Sequence, residues 1–163
     1  MSKIYRLNLV NCITGYKSAN LVGTKSVEGN ENLAIFSSVI HLGSNPALIG
    51  FILRPTTVPR HTYANIKATG IFTLNAITDK QIADAHHTSA KYPAGVSEFD
   101  QTDLVTERKK NWNAPFVQGA PIQLGCRYQN EYFIKENDTI MVVASIEDIY
   151  ISEPLLLKDG WVQ

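Results

Sequence analysis

Short apolar runs alternate with turn residues along most of the chain, and long helical periods are rare. Leu21-Val22-Gly23-Thr24-Lys25-Ser26 and the stretch from Asn32 to Ile40 flank Val27-Glu28-Gly29-Asn30-Glu31. Strand, Gly/Asn turn and strand predict a hairpin. Gly43-Ser44-Asn45-Pro46 breaks the run, and Ala47 to Leu53 (ALIGFIL) reads as a strand buried on both faces. Helical spacing follows: Pro59 suits a first turn, Tyr63 and Ile66 lie three apart on one face, and Gly70 is a stop. Ile71 to Ala76 is a further strand. Asp79 can cap a second short helix whose inner face carries Ile82, Ala83 and His86 and which ends before Pro93. From Val96 to Pro115 the pattern is polar and irregular, as expected of a long loop or short helix on the surface. Pro121 to Tyr128 and Asp138 to Ile151 read as two closing strands, the second preceded by the turn Lys135-Glu136-Asn137-Asp138.

Two short helices among six or so strands predict a mainly β fold, a Greek-key barrel in place of a doubly wound parallel sheet. A strand followed by a Gly-rich phosphate fingerprint and a helix does not occur, which argues against a Rossmann dinucleotide site.

Composition narrows the partners. The 163 residues fit one domain, and 44% apolar with 18% charged residues is a globular balance. Fifteen basic and fifteen acidic side chains leave no net charge, which argues against nucleic acid, though a small basic pocket for one phosphorylated ligand is still compatible. Cys12 and Cys126 have no paired spacing for metal or redox work and read as two reduced thiols. No apolar run approaches the ~20 residues of a membrane span. The opening Met1-Ser2-Lys3-Ile4-Tyr5-Arg6 lacks the apolar core of a secretion signal, so a cytoplasmic protein is expected.

The densest chemistry lies in Arg54-Pro55-Thr56-Thr57-Val58-Pro59-Arg60-His61-Thr62-Tyr63-Ala64-Asn65-Ile66. Guanidiniums, hydroxyls and a histidine crowd the end of an apolar strand and the start of a helix, where unpaired N–H groups favour an anion. An arginine fork can grip two phosphate oxygens while threonines donate to the others. The same residues also suit a plain helix cap with arginines in solvent. A second polar cluster, Asn32 with Ser37-Ser38, sits on or beside an apolar strand. Its groups need partners, which either a planar heterocycle or a neighbouring strand would supply. His86-His87 cannot share one helix face, and no spacing suggests zinc. The Gly-x-Ser-x-Gly elbow of serine hydrolases is absent. Glu98 and Asp100 read as loop charges.

The order and spacing of several stretches resemble the flavin reductase-like, FMN-binding split-barrel family over nearly the whole chain. They are Asn32 to Ser38, Ser44-Asn45-Pro46-Ala47-Leu48-Ile49-Gly50-Phe51, Arg54 to Ile66 and Gly70 to Asn75. Ser89-Ala90-Lys91-Tyr92, Ser97-Glu98-Phe99-Asp100, Ala114-Pro115-Phe116 and Gly119 to Cys126 continue the match.

The resemblance implies a single six-stranded Greek-key split barrel over residues 1–163, a homodimer, and FMN near the dimer interface. By motif match, Arg60 and Thr62, with Thr57 and Arg54, would hold the 5′-phosphate. Asn32, Ser37 and Ser38 would face the isoalloxazine and ribityl chain, and Ser89 and Lys91 belong to the loop that closes over the flavin. The implied activity is NAD(P)H-dependent flavin reduction, of the kind that supplies a partner monooxygenase. A flavin-binding electron carrier or storage protein needs the same cradle and stands as the alternative. The chain departs from the family at two places. The glycine-aspartate-histidine turn of many family reductases is here Glu136-Asn137-Asp138-Thr139, so no histidine is available there to orient a nicotinamide. Relatives also usually continue into a C-terminal segment beyond the point where this chain reaches Gln163.

Overall fold

The computed structural model describes residues 1–93 and 95–163. Helix α1 (Lys3–Cys12) precedes strands β1 (Asn20–Lys25), β2 (Glu31–Phe36), β3 (Ile40–Ser44) and β4 (Ala47–Leu53). Helix α2 (His61–Thr69), strand β5 (Ile71–Ala76) and helix α3 (Ile82–His87) follow. Strands β6 (Thr106–Glu107) and β7 (Phe116–Val117) lead to the long hairpin of β8 (Ile122–Ile134) and β9 (Thr139–Ile151). Seven strands form one sheet in the order β2-β1-β5-β8-β9-β4-β3, while β6 and β7 form a separate pair. The mainly β class is as expected, with one more strand in the main sheet than the six foreseen.

The additional strand explains how the barrel closes. Asn32 to Ile40 does not run as one strand: β2 ends at Phe36, the chain bends at Ser37-Ser38, and β3 starts at Ile40. Because β2 and β3 are the two ends of the sheet order yet adjacent in sequence, the sheet must curl until its edges meet. The β3–β4 hairpin pairs Ile40 with Gly50, so the same register places Ser38 opposite Ile52, and there the serine hydroxyl replaces the ladder. It accepts from the Ile52 N–H at 3.1 Å and reaches the Ile52 carbonyl at 3.2 Å. The apolar pattern carried no mark of this break, because Ile35, Phe36, Val39 and Ile40 flank it on both sides.

The barrel interior is apolar: Val22, Phe51, Ile66, Phe72, Leu74 and Val142 are buried there, with Phe36, Phe51 and Phe72 meeting edge to face. A second cluster of Leu21, Leu33, Ala85, Leu104, Val117 and Ala120 packs on the opposite face of β1 and β2. Adjacent residues Leu21 and Val22 therefore serve different cores, as a strand's alternation requires.

The stretch expected as a surface loop, 96–115, is held at Glu107 by Gln123, which donates to Glu107 Oε2 at 2.8 Å, and it leads into β7, which buried amides anchor. Asn75 donates to the Leu21 carbonyl at 3.1 Å and accepts from the Val117 N–H at 3.0 Å, while Gln123 donates to the Val117 carbonyl at 2.7 Å. Trp112 lies so close over Gly125 that any Cβ there would overlap its ring.

Both expected helices form with shifted ends. His61 opens α2 and Arg60 is its N-cap, so Pro59 lies outside it; Gly70 ends it in the left-handed conformation at φ 72°. Thr78 and Gln81 make a capping box ahead of α3, taking the role expected of Asp79. The inner residue of α3 is Ala85, and Ile82, Ala83 and His86 face outward, the reverse of the expected face. One turn of 3-10 helix, Asp79–Gln81, precedes α3 and rotates its register. Among the described residues no helix is long and apolar enough to cross a membrane.

Candidate functional site

Strand β4 delivers the chain out of the barrel at Leu53, and residues 54–60 lead to the start of α2. Arg54 and Thr57 are exposed on this connection, whereas Arg60 is half-buried. Nε and one terminal nitrogen of Arg60 each donate to the Pro55 carbonyl at 3.3 Å, which folds the guanidinium back over its own loop. The N-cap residue, Arg60, makes no side-chain cap hydrogen bond. The first N–H groups of α2 are therefore left to water or to a ligand, in a stretch with two arginines and no carboxylate.

A buried polar network lies beneath that helix start. Asn32 Nδ2 donates to Thr62 Oγ1 at 3.0 Å and to Thr24 Oγ1 at 3.4 Å, and Asn65 Nδ2 donates to the same Thr24 oxygen at 3.0 Å. All four residues are buried. They tie the first turns of α2 to the β1–β2 hairpin, so the helix start is held by hydrogen bonds with defined directions. Having accepted from Asn32, the Thr62 hydroxyl keeps its own proton to give away.

Glu98 is the residue whose setting the sequence misrepresented. It reads as a loop charge, yet it is only 6% exposed, at the start of a 3-10 turn capped by Ser97. Its Oε2 accepts from the Leu33 N–H at 2.8 Å. That N–H lies on the free edge of β2, so the carboxylate occupies a position that another strand would otherwise take. Burial raises its pKa, opposed by the Leu33 hydrogen bond and by nearby His61 at the first position of α2. A buried carboxylate thus stands beside the positively charged helix start. The available signal was the capped turn Ser97-Glu98-Phe99 following an apolar β2, but nothing local showed which N–H it would meet.

The nine expected site residues are only partly brought together. Asn32 and Thr62 are in contact, and Arg60, Thr57 and Arg54 share the adjoining connection. Ser38 reaches Ile52, two residues before Arg54, which brings the 37–38 bend alongside that connection. Ser37 is exposed at the bend. Ser89 and Lys91 are exposed just past α3, and no hydrogen bond or ion pair among the described residues links their side chains to the α2 start. Tyr92 Oη lies 2.6 Å from His87 Nε2 with the two rings stacked, a contact that fixes the loop next to Lys91.

Residues 17–162 match the flavin reductase like domain family, and the chain belongs to that family. A solved structure from Shewanella frigidimarina, described as a candidate flavin reductase with a split barrel domain, covers 100% of this chain and 81% of its own. It superposes with a TM-score of 0.96 at 39% identity. Nitrilotriacetate monooxygenase component B from Bacillus cereus has the same fold, with a TM-score of 0.88 at 20% identity over 99% of this chain and 82% of that one. An uncharacterized protein of Methanothermobacter thermautotrophicus is 32% identical over 117 residues, 68% of this chain and 51% of that protein. The chain thus spans about half the length of that curated relative.

Proposed function

We propose that the protein is an FMN-binding oxidoreductase, an NAD(P)H-dependent flavin reductase that works as a cytoplasmic homodimer. The observation that carries this reading is the uncapped start of α2, with Arg60 folded over the connection that leads into it and Thr62 held from beneath by Asn32. A terminal phosphate fits such a start: free backbone N–H groups, the Thr62 proton and the remaining guanidinium donors all point to an acceptor-rich dianion. Thr57 and Arg54 add donors from the connection.

The other residues take narrower roles than their side chains alone imply. Both amide protons of Asn32 are committed to Thr24 and Thr62, so its carbonyl oxygen is the group left for a ribityl hydroxyl. The Ser38 hydroxyl is committed to Ile52, so the backbone of the Ser37-Ser38 bend is what meets the ring edge. Ser89 and Lys91 would come over the flavin from the loop after α3. Bound FMN supplies the two-electron chemistry; the protein orients it and excludes water. Component B of a monooxygenase among the structural neighbours favours a role in supplying reduced flavin to an oxygenase.

Steady-state oxidation of NADH and NADPH with added FMN tests the activity. Turnover supports the reductase; a flavin-loaded protein that oxidises neither nicotinamide would be a carrier or storage protein.

A further inference from the structure

Helix α1 buries none of its ten residues against the rest of the chain. Ile4, Leu7 and Val10 are 66%, 46% and 55% exposed, and Ile13 and Tyr16 beyond it are exposed too. A helix of this length is marginal in water without a packing partner. It also lies outside residues 17–162 of the family domain, yet the Shewanella structure covers 100% of this chain, so the segment has a counterpart in a crystal structure.

The barrel has an unfilled surface suited to such a helix. The second apolar cluster opens to solvent in a cavity of about 560 Å³ lined by Ala19, Ile35, Ile77 and Ile82, with Asp79 and His86. Ile82 is 57% exposed there, the outward face that distinguishes α3 from its expected orientation. Residues 1–19 carry Lys3, Arg6 and Lys17 and no carboxylate, while the border of the opening carries Asp79. Residues 13–19 can span about 23 Å when extended, and Ala19 lies in the opening itself, so two copies meeting near Ala19 can exchange their first helices.

We propose that α1 is an exchanged arm, seating its apolar side in the Ala19–Ile35–Ile77–Ile82 opening of a second copy of this chain, and that this exchange holds the dimer. The inference deepens the homodimer reading above. It also places the principal contact away from the exposed C-terminal residues Leu156, Leu157 and Trp161.

The test joins light scattering with hydrogen exchange of the α1 amides in the full chain, comparing wild type, Leu7→Glu and Ile82→Glu. Both side chains are exposed, so neither change disturbs the barrel core. The expected wild type is a dimer with α1 exchange slowed about tenfold or more relative to a free helix. Either variant is expected to have monomer mass and fast α1 exchange. A wild-type monomer overturns both the arm and the dimer. Variants that remain dimeric overturn the arm alone, as does a wild-type dimer whose α1 exchanges freely.

Discussion

The Ser38 hydroxyl bridges the N–H and the carbonyl of Ile52, completing by a side chain the ladder that β3 leaves unfinished. This contact is at the seam of the barrel and beside the proposed flavin cradle. Ser38→Ala leaves two half-buried backbone groups without that partner and should destabilise the fold by about 1–3 kcal/mol. Urea unfolding of the purified variant measures it. Ser38→Thr keeps the hydroxyl and should recover most of the loss.

That seam also shows where sequence reasoning stops. The hairpin of β1 and β2, the buried β4 and the last strand β9 were legible because period and turn residues are local signals, whereas β8 runs on to Ile134, six residues past the Tyr128 end that the pattern predicts. Val39 and Ile40 look like a continuation of β2, and only the closure of the sheet sends them to its opposite edge. The Arg54–Ile66 cluster was legible for the same local reason, since a helix start needs only neighbouring residues. Glu98 was not, because its partner Leu33 is 65 residues away and its character comes from burial. Helix α1 was missed as well: none of its residues is buried.

Glu98 should make stability fall as pH rises. Its folded pKa is raised above the ordinary value of 4.5 by burial, so the folded state holds the proton more tightly than the unfolded one. The resulting stabilisation is complete below about 4.5 and is lost as pH climbs through the raised folded value. Glu98→Gln keeps an acceptor for Leu33 without titrating, so its stability should be flat across this window and equal to or above wild type at neutral pH. Glu98→Ala should be worse than both by about 1–3 kcal/mol, because the Leu33 N–H loses its partner. Thermal melts at pH 4, 5, 6 and 7, values chosen to bracket the ordinary carboxylate range, separate the three proteins.

Gly125 has a packing role. Since a Cβ would overlap the Trp112 ring, Gly125→Ala should displace Trp112 from Asp148 and loosen the loop that Asn75 and Gln123 anchor. The expected cost is about 1–3 kcal/mol for overpacking, with a red-shifted Trp fluorescence as the indole meets water. An unchanged emission maximum would mean that the ring stays in place.

FAD should gain nothing over FMN. The α2 start satisfies one terminal phosphate, and no Gly-rich turn lets backbone approach a pyrophosphate. Adenosine would add ordering cost without new partners. FMN is therefore expected to bind at least as tightly as FAD in a fluorescence competition, and a clear preference for FAD would place a second phosphate site elsewhere.

The central claim is that the α2 start is a phosphate cradle, and titrating FMN and riboflavin into wild type and Arg60→Ala tests it most directly. Losing a charge-assisted contact should cost about 1.5–3 kcal/mol, roughly ten- to a hundredfold in FMN affinity. Riboflavin, which lacks the phosphate, should bind wild type more weakly than FMN and be indifferent to Arg60. Equal affinities of FMN and riboflavin for wild type, with FMN binding unaltered in Arg60→Ala, would contradict the account.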